Sequence, residues 1–258
     1  MSLRVTRNLR TPSAGCVRLF CLPYAGGSAA IYSRWQTYAP GWLQICPVEL
    51  PGRGWLTGKD PITSMEELAQ LMKSALHPHT NSTYAIFGHS MGALLGYEIA
   101  VRLEKSGARP VCTLFASGSR APFAPSRLPP VSHLSDEKFL DYLRRLQGTP
   151  EELLEQQELM ALLLPVIRAD FAVAERYRPE NSYPLQSSIT IFSGDADEHA
   201  SAKEMMEWRQ LTRATFWSHR FPGDHFFLNE QPESVVRTIA AELAPYCSAH
   251  AATCDRTS

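Results

Sequence analysis

The sequence predicts an α/β fold: a mostly parallel central sheet flanked by helices, with an inserted helical segment. Three observations predict it. Short apolar runs of strand length alternate strictly with helix-length segments through the first half of the chain. No strand-like run interrupts residues Arg120 to Leu185, and the alternation resumes after them. The strands themselves are continuous apolar stretches, as strands buried on both faces are.

The elements follow in order. Residues 1–15 read as a loose lead-in to a first strand, Val17 to Leu22. That strand runs into Pro23-Tyr24-Ala25-Gly26-Gly27-Ser28, a turn of small residues. A helix is expected from about Ala30 to Tyr38, then a strand from Leu43 to Leu50 that ends at Pro51-Gly52-Arg53-Gly54. Ser64 and Glu67 have capping-box spacing, which starts a helix at Met65. Apolar residues at helical spacing carry it to Leu76, where His77-Pro78 ends it. Tyr84 to Phe87 is the next strand, followed by a helix through Leu103 capped at Gly107. Val111 to Ser117 is another buried strand.

The segment 120–185 has a proline-rich entry and helical stretches at Ser135–Leu146, Pro150–Leu164 and Val166–Tyr177. Its apolar residues, Phe139, Leu143 and Leu154 among them, are expected to bury on the sheet domain as a lid over its C-terminal edge. The core then comprises 1–119 and 186–246. It resumes with a strand at Ser188–Ser193, a helix from Ala202 to about Gln210, a last strand at Thr215–Phe221 and a helix from Pro232 to about Tyr246. Residues 247–258 read as a disordered tail.

Composition excludes several function classes. The net charge is −1 over 258 residues, so no electrostatic footprint for nucleic acid is present. No apolar run is long enough to span a membrane, and the basic N-terminus lacks the apolar core of a secretory signal. None of the six cysteines forms a Cys-x-x-Cys pair or zinc-ligand spacing. The expectation is a cytoplasmic monomer with no metal and no cofactor.

The chemistry centres on Gly88-His89-Ser90-Met91-Gly92. Between a strand and a helix, Gly-x-Ser-x-Gly is the nucleophile-elbow pattern. The sharp turn forces its middle residue into strained dihedrals and lifts the Ser90 hydroxyl clear of the backbone. A serine needs a base, and the base needs an orienting carboxylate. His225 is the expected base: it follows the last strand, where loops gather at the sheet's C-terminal edge. His89 adjoins the nucleophile but should project away from it, and His199 is a rival. The acid should lie between Ser90 and the base in the chain. Gly194-Asp195-Ala196-Asp197 offers two, and Asp197 reaches further along the loop. Asp195 is the alternative, with turn closure as its other role. The oxyanion hole is expected from the backbone amides of Met91 and Ala25.

With these residues in view, the chain resembles the external, or type II, thioesterases of nonribosomal peptide and polyketide synthetases. The stretches that carry the resemblance are Leu19–Gly27, Leu50-Pro51-Gly52-Arg53, Phe87–Ala93, Pro165–Asp170 and Gly223–Leu228. It implies an α/β-hydrolase fold with a helical lid. It also implies hydrolysis of acyl or aminoacyl thioesters from the phosphopantetheine arm of carrier domains, which clears aberrant acyl groups, with the acid after the strand at Ile189–Ser193. The chain departs from the family pattern at Gly54, where an acidic residue is usual, and at Asp224, where a second glycine is common. Two other readings stand beside this one: a medium-chain fatty acyl thioesterase or general carboxylesterase with the same triad, and a noncatalytic scaffold that binds carrier proteins.

Overall fold

Six parallel strands form one sheet in the computed structural model, which describes residues 3–7, 9, 15–125, 127–179 and 181–254, with 248–254 as backbone only. They are β1 (Val17–Leu22), β2 (Leu43–Pro47), β3 (Tyr84–His89), β4 (Thr113–Ser117), β5 (Ser188–Gly194) and β6 (Phe216–Phe221). Their order is β2-β1-β3-β4-β5-β6. The chain leaves β1 towards one edge and returns to β3 on its other side. This reversal makes the C-terminal ends of β1 and β3 the switch point of the sheet, where α/β folds open a crevice.

Alternation along the strands divides the core in two. Phe20, Leu22, Ile86 and Leu114 pack with α1 (Met65–Leu76) and α2 (Met91–Lys105). Leu19, Cys21, Phe87 and Phe192 pack with the last helix of the chain, on the opposite face. Each such fully buried side chain contributes about 2 kcal/mol of transfer free energy. α1 forms because Met65, Leu68, Ala69, Met72, Ala75 and Leu76 repeat at helical spacing and are all buried. Only half of its expected capping box is present: the Glu67 amide donates to Ser64 Oγ at 3.3 Å, while the Ser64 hydroxyl donates to Glu66. α2 ends as expected, with Gly107 at φ +73° and the Ala108 amide reaching back to the Leu103 carbonyl.

The insertion between β4 and β5 holds α3 (Asp136–Leu146), α4 (Glu151–Leu154) and α5 (Gln157–Arg176). It builds a small core of its own from Val131, Phe139, Leu143, Leu154, Met160, Leu164 and Ile167, rather than laying these residues on the sheet. Pro165 does not end a helix, contrary to expectation; α5 runs through it. Val166, Ile167, Asp170 and Val173 beyond it are buried, and that burial outweighs the roughly 3 kcal/mol a proline costs in a helix interior.

Beyond β5 come α6 (Ala202–Met205), α7 (Phe227–Glu230) and α8 (Pro232–Cys254). Four further readings differ from expectation. The helix expected at Ala30–Tyr38 is two 3₁₀ turns, Ala29–Tyr32 and Trp35–Thr37. They seat Tyr32 and Trp35 against Phe87, and the Tyr32 hydroxyl donates to the Leu22 carbonyl at 2.7 Å. α6 is a single turn with a complete Ser201–Glu204 capping box, continued by a 3₁₀ stretch to Leu211. The lead-in is docked where it is described: Thr6 bridges Val48 and Val5 is buried. α8 extends to Cys254, into the stretch read as a tail; residues 255–258 lie outside the described residues. Among the described residues no helix is long and apolar enough to cross a membrane.

Candidate active site

Ser90 stands between the end of β3 and the first residue of α2 with φ +54° and ψ −116°, a conformation L-residues rarely hold. Two glycines make the turn feasible. A side chain at Gly88 would collide with the Gly92 backbone, and one at Gly92 would come within 2.5 Å of the Leu22 carbonyl oxygen. Strand and helix therefore meet at backbone contact. The Ser90 amide is tied to the Ser117 carbonyl at the end of β4 at 2.8 Å, which fixes the elbow to the sheet edge.

His225 lies in the loop between β6 and α7, and Asp197 follows β5. The Nδ1 of His225 donates to Asp197 Oδ2 at 2.9 Å, with 8% of the imidazole and none of the carboxylate exposed. A carboxylate only accepts, so Nδ1 carries a proton, and in the neutral ring the lone pair is on Nε2. The other oxygen, Oδ1, accepts the amides of His199 and Ala200 at 2.8 and 3.1 Å. Asp195, the alternative acid, instead accepts the Gly223 amide at 3.0 Å and closes the turn. Asp224 accepts the Phe226 amide, so its departure from the family pattern serves a local turn.

Two other histidines flank His225. His89 is fully buried, turns away from the elbow and hydrogen-bonds Ser117 Oγ through Nδ1 at 2.9 Å. Its ring sits 4.9 Å from that of His225, and the His199 ring lies 5.1 Å away. Burial first, and the neighbouring His225 second, hold His89 well below the usual histidine range and push His199 down in the same direction. Near neutral pH a positive charge on His225 therefore has neutral imidazoles for neighbours.

Ser90, His225, Ala25 and Met91 line one cleft of about 160 Å³ at the switch point. Tyr142, Leu146 and Phe171 of the insertion form its apolar wall, and Arg120 and Arg127 lie along its polar side. Among the described residues no acceptor pairs with the Ala25 or Met91 amide. Ala25 is the second residue of a turn closed by the Gly27 amide on the Tyr24 carbonyl at 2.9 Å, with Gly26 at φ +78°.

A family model described as a thioesterase domain matches residues 17–243. The chain belongs to the thioesterase family. Thioesterase relatives match it along nearly its whole length. The gramicidin S biosynthesis protein GrsT of Aneurinibacillus migulanus is 37% identical over 237 residues, 92% of each chain. Among solved structures, the RedJ thioesterase from the prodiginine pathway of Streptomyces coelicolor is 36% identical, covers 92% of this chain and 91% of its own, and superposes with a TM-score of 0.82. The type II thioesterase BorB from the borrelidin biosynthetic cluster is 33% identical, covers 94% and 99%, and gives 0.85. As the resemblance implied, this thioesterase-family hydrolase has the α/β-hydrolase architecture of its relatives.

Sequence reasoning gave no role to one feature of this region. Arg53 and Asp170, both buried, form an ion pair beside the turn that holds Ala25. Both residues lay in stretches that carried the family resemblance, and charged residues at strand-end and helix-interior positions of buried segments were the available signal.

Proposed function

We propose that this thioesterase hydrolyses short acyl and aminoacyl thioesters from the phosphopantetheine arm of carrier domains, and so clears aberrant groups from a nonribosomal peptide or polyketide synthetase. The observation that carries the reading is the buried Asp197–His225 pair opening onto the same cleft as the strained Ser90. Relatives named for gramicidin S and borrelidin biosynthesis support the synthetase setting.

The reaction runs in two halves. His225 Nε2 takes the Ser90 proton as Oγ attacks the thioester carbonyl, and the oxyanion receives the Ala25 and Met91 amides. Asp197 orients the imidazole and stabilises the imidazolium. The tetrahedral adduct collapses, the C–S bond breaks, and the thiolate leaves with the proton from His225. Water, deprotonated by the same nitrogen, then attacks the acyl-Ser90 ester; the acid departs and Ser90 regains its proton. Every step is served by side chains and backbone amides of this chain. The helices of residues 120–185 act as the lid, and the cleft lies below the roughly 300 Å³ at which small-molecule sites usually begin, which favours short acyl groups. We place the protein in the cytoplasm as a monomer with no nucleic-acid partner; the near-zero net charge supports the last of these, and cysteines that are free among the described residues fit the first.

The test is Ser90→Ala with acyl-carrier substrate, alongside rapid acid quench and intact-mass measurement of the wild type. Turnover should fall at least about 10⁴-fold in the variant. The quenched wild type should carry one acyl group, on the peptide containing Ser90. Residual turnover near the wild-type rate, or acyl transfer to another residue, contradicts the assignment.

A further inference from the structure

Asp170 belongs to α5, in the insertion, yet its carboxylate is spent on the core. Oδ2 accepts the Gly26 amide at 2.8 Å and Arg53 Nη1 at 2.5 Å; Oδ1 accepts Arg53 Nη2 at 2.7 Å. Arg53 also donates from Nη1 to the Gly27 carbonyl at 2.9 Å and from Nη2 towards the Pro51 carbonyl. Asp170 is 2% exposed and Arg53 6%. Two buried charges are thus neutralised against each other, and beyond the Pro51 contact their remaining bonds go to residues 26 and 27.

Those residues close the turn that presents the Ala25 amide. Its central peptide, Ala25–Gly26, can in principle face either way, and the two orientations are the type I and type II turns. The structure has Gly26 at φ +78°, the type II form, in which the Gly26 N–H points at Asp170. The carboxylate holds that peptide in one orientation and Arg53 grips the Gly27 carbonyl, so the turn is pinned on the far side of the Tyr24–Ala25 peptide that carries the Ala25 N–H. Packing acts in the same direction: a side chain added at Gly26 would meet Ile167, and one at Gly52 would meet Val166, both on α5.

We infer that the Arg53–Asp170 pair is a positioning device for the oxyanion hole, through which the insertion helix sets the aim of the Ala25 amide. The inference rests on the triad and oxyanion roles proposed above. Neither side chain touches the acyl group; both act through the turn. α5 is accordingly anchored from Pro165 onward, and the hole is complete only while this half of the helix is seated.

The test uses Asp170→Asn, Arg53→Lys and the apolar double variant Arg53→Met/Asp170→Leu, which removes both buried charges together and so preserves folding where a single change leaves one unpaired. Active sites are titrated with a fluorophosphonate. For each variant that unfolds cooperatively, kcat per titrated site is expected to fall about tenfold or more, with KM within about threefold. Inhibition by hexylboronic acid, whose tetrahedral adduct on Ser90 places an oxygen in the hole, should weaken by the same factor as kcat. A purely structural role lowers the number of titratable sites and leaves kcat per site and boronate affinity intact. That result, or full kcat in any folded variant, overturns the inference. Retained hydrolysis in Ser90→Ala would instead overturn the triad reading, so the two failures are told apart.

Discussion

Ser90 and His89 are neighbours in sequence with opposite fates. The first is lifted into the cleft by its positive φ; the second is turned into the protein, where no water reaches it. The cost of charging His89 in that position gives the protein a pH dependence. An unfolded histidine titrates near pH 6.5, whereas the buried one stays neutral well below that. The stability gained by keeping His89 neutral is therefore fully present above about pH 6.5 and declines as pH falls, because only the unfolded chain takes up the proton there. The decline approaches 1.4 kcal/mol for each pH unit, about one proton's worth. Stability from denaturation midpoints should hold from pH 8 to about pH 6.5 and decline from there to pH 5, and His89→Gln should make that decline shallower, with His199 carrying part of the remainder, while lowering stability at pH 7 by about 1 kcal/mol through the lost Ser117 contact. An unchanged slope in the variant would show that other groups carry the acid sensitivity. At this scale the geometry was legible where the signal is local: the proposed nucleophile, acid and base each sit at a strand end beside turn residues, and the structure brings Asp197 and His225 together at 2.9 Å. Arg53 and Asp170 are paired across 117 positions of chain, and no local pattern announces such a contact.

At the scale of elements, buried parallel strands read directly as apolar runs, and all six lie within a few residues of expectation. Short elements were less legible. The 3₁₀ turns at Ala29–Tyr32 and Trp35–Thr37 exist because Tyr32 and Trp35 must reach Phe87, a tertiary demand that composition does not encode. The same applies to α5, where burial after Pro165 overrides the local breaker. This override predicts a stabilising change. Pro165 is exposed and interrupts the hydrogen-bond ladder of a helix that forms regardless. Pro165→Ala should raise stability by about 1 to 3 kcal/mol in thermal or urea denaturation, by restoring one donor and removing the ring clash. A neutral or destabilising result would mean that a kink imposed by the ring is what seats Val166 and Ile167 on the core.

The whole molecule is organised by one topological fact: the strand order reverses between β1 and β3, and both loops that follow these strands contribute to the cleft. β5 and β6 extend the same edge and carry Asp197 and His225 to it, while the insertion supplies the apolar wall. The most direct test of the account is hydrolysis of one series of acyl groups presented three ways: on a phosphopantetheinylated carrier protein, on a small thiol and as oxygen esters. The account predicts fastest release from the carrier, with short acyl groups preferred over long ones and oxygen esters the poorest substrates. Equal or better rates on the oxygen esters, with no advantage from the carrier, would contradict it and leave a general esterase in its place.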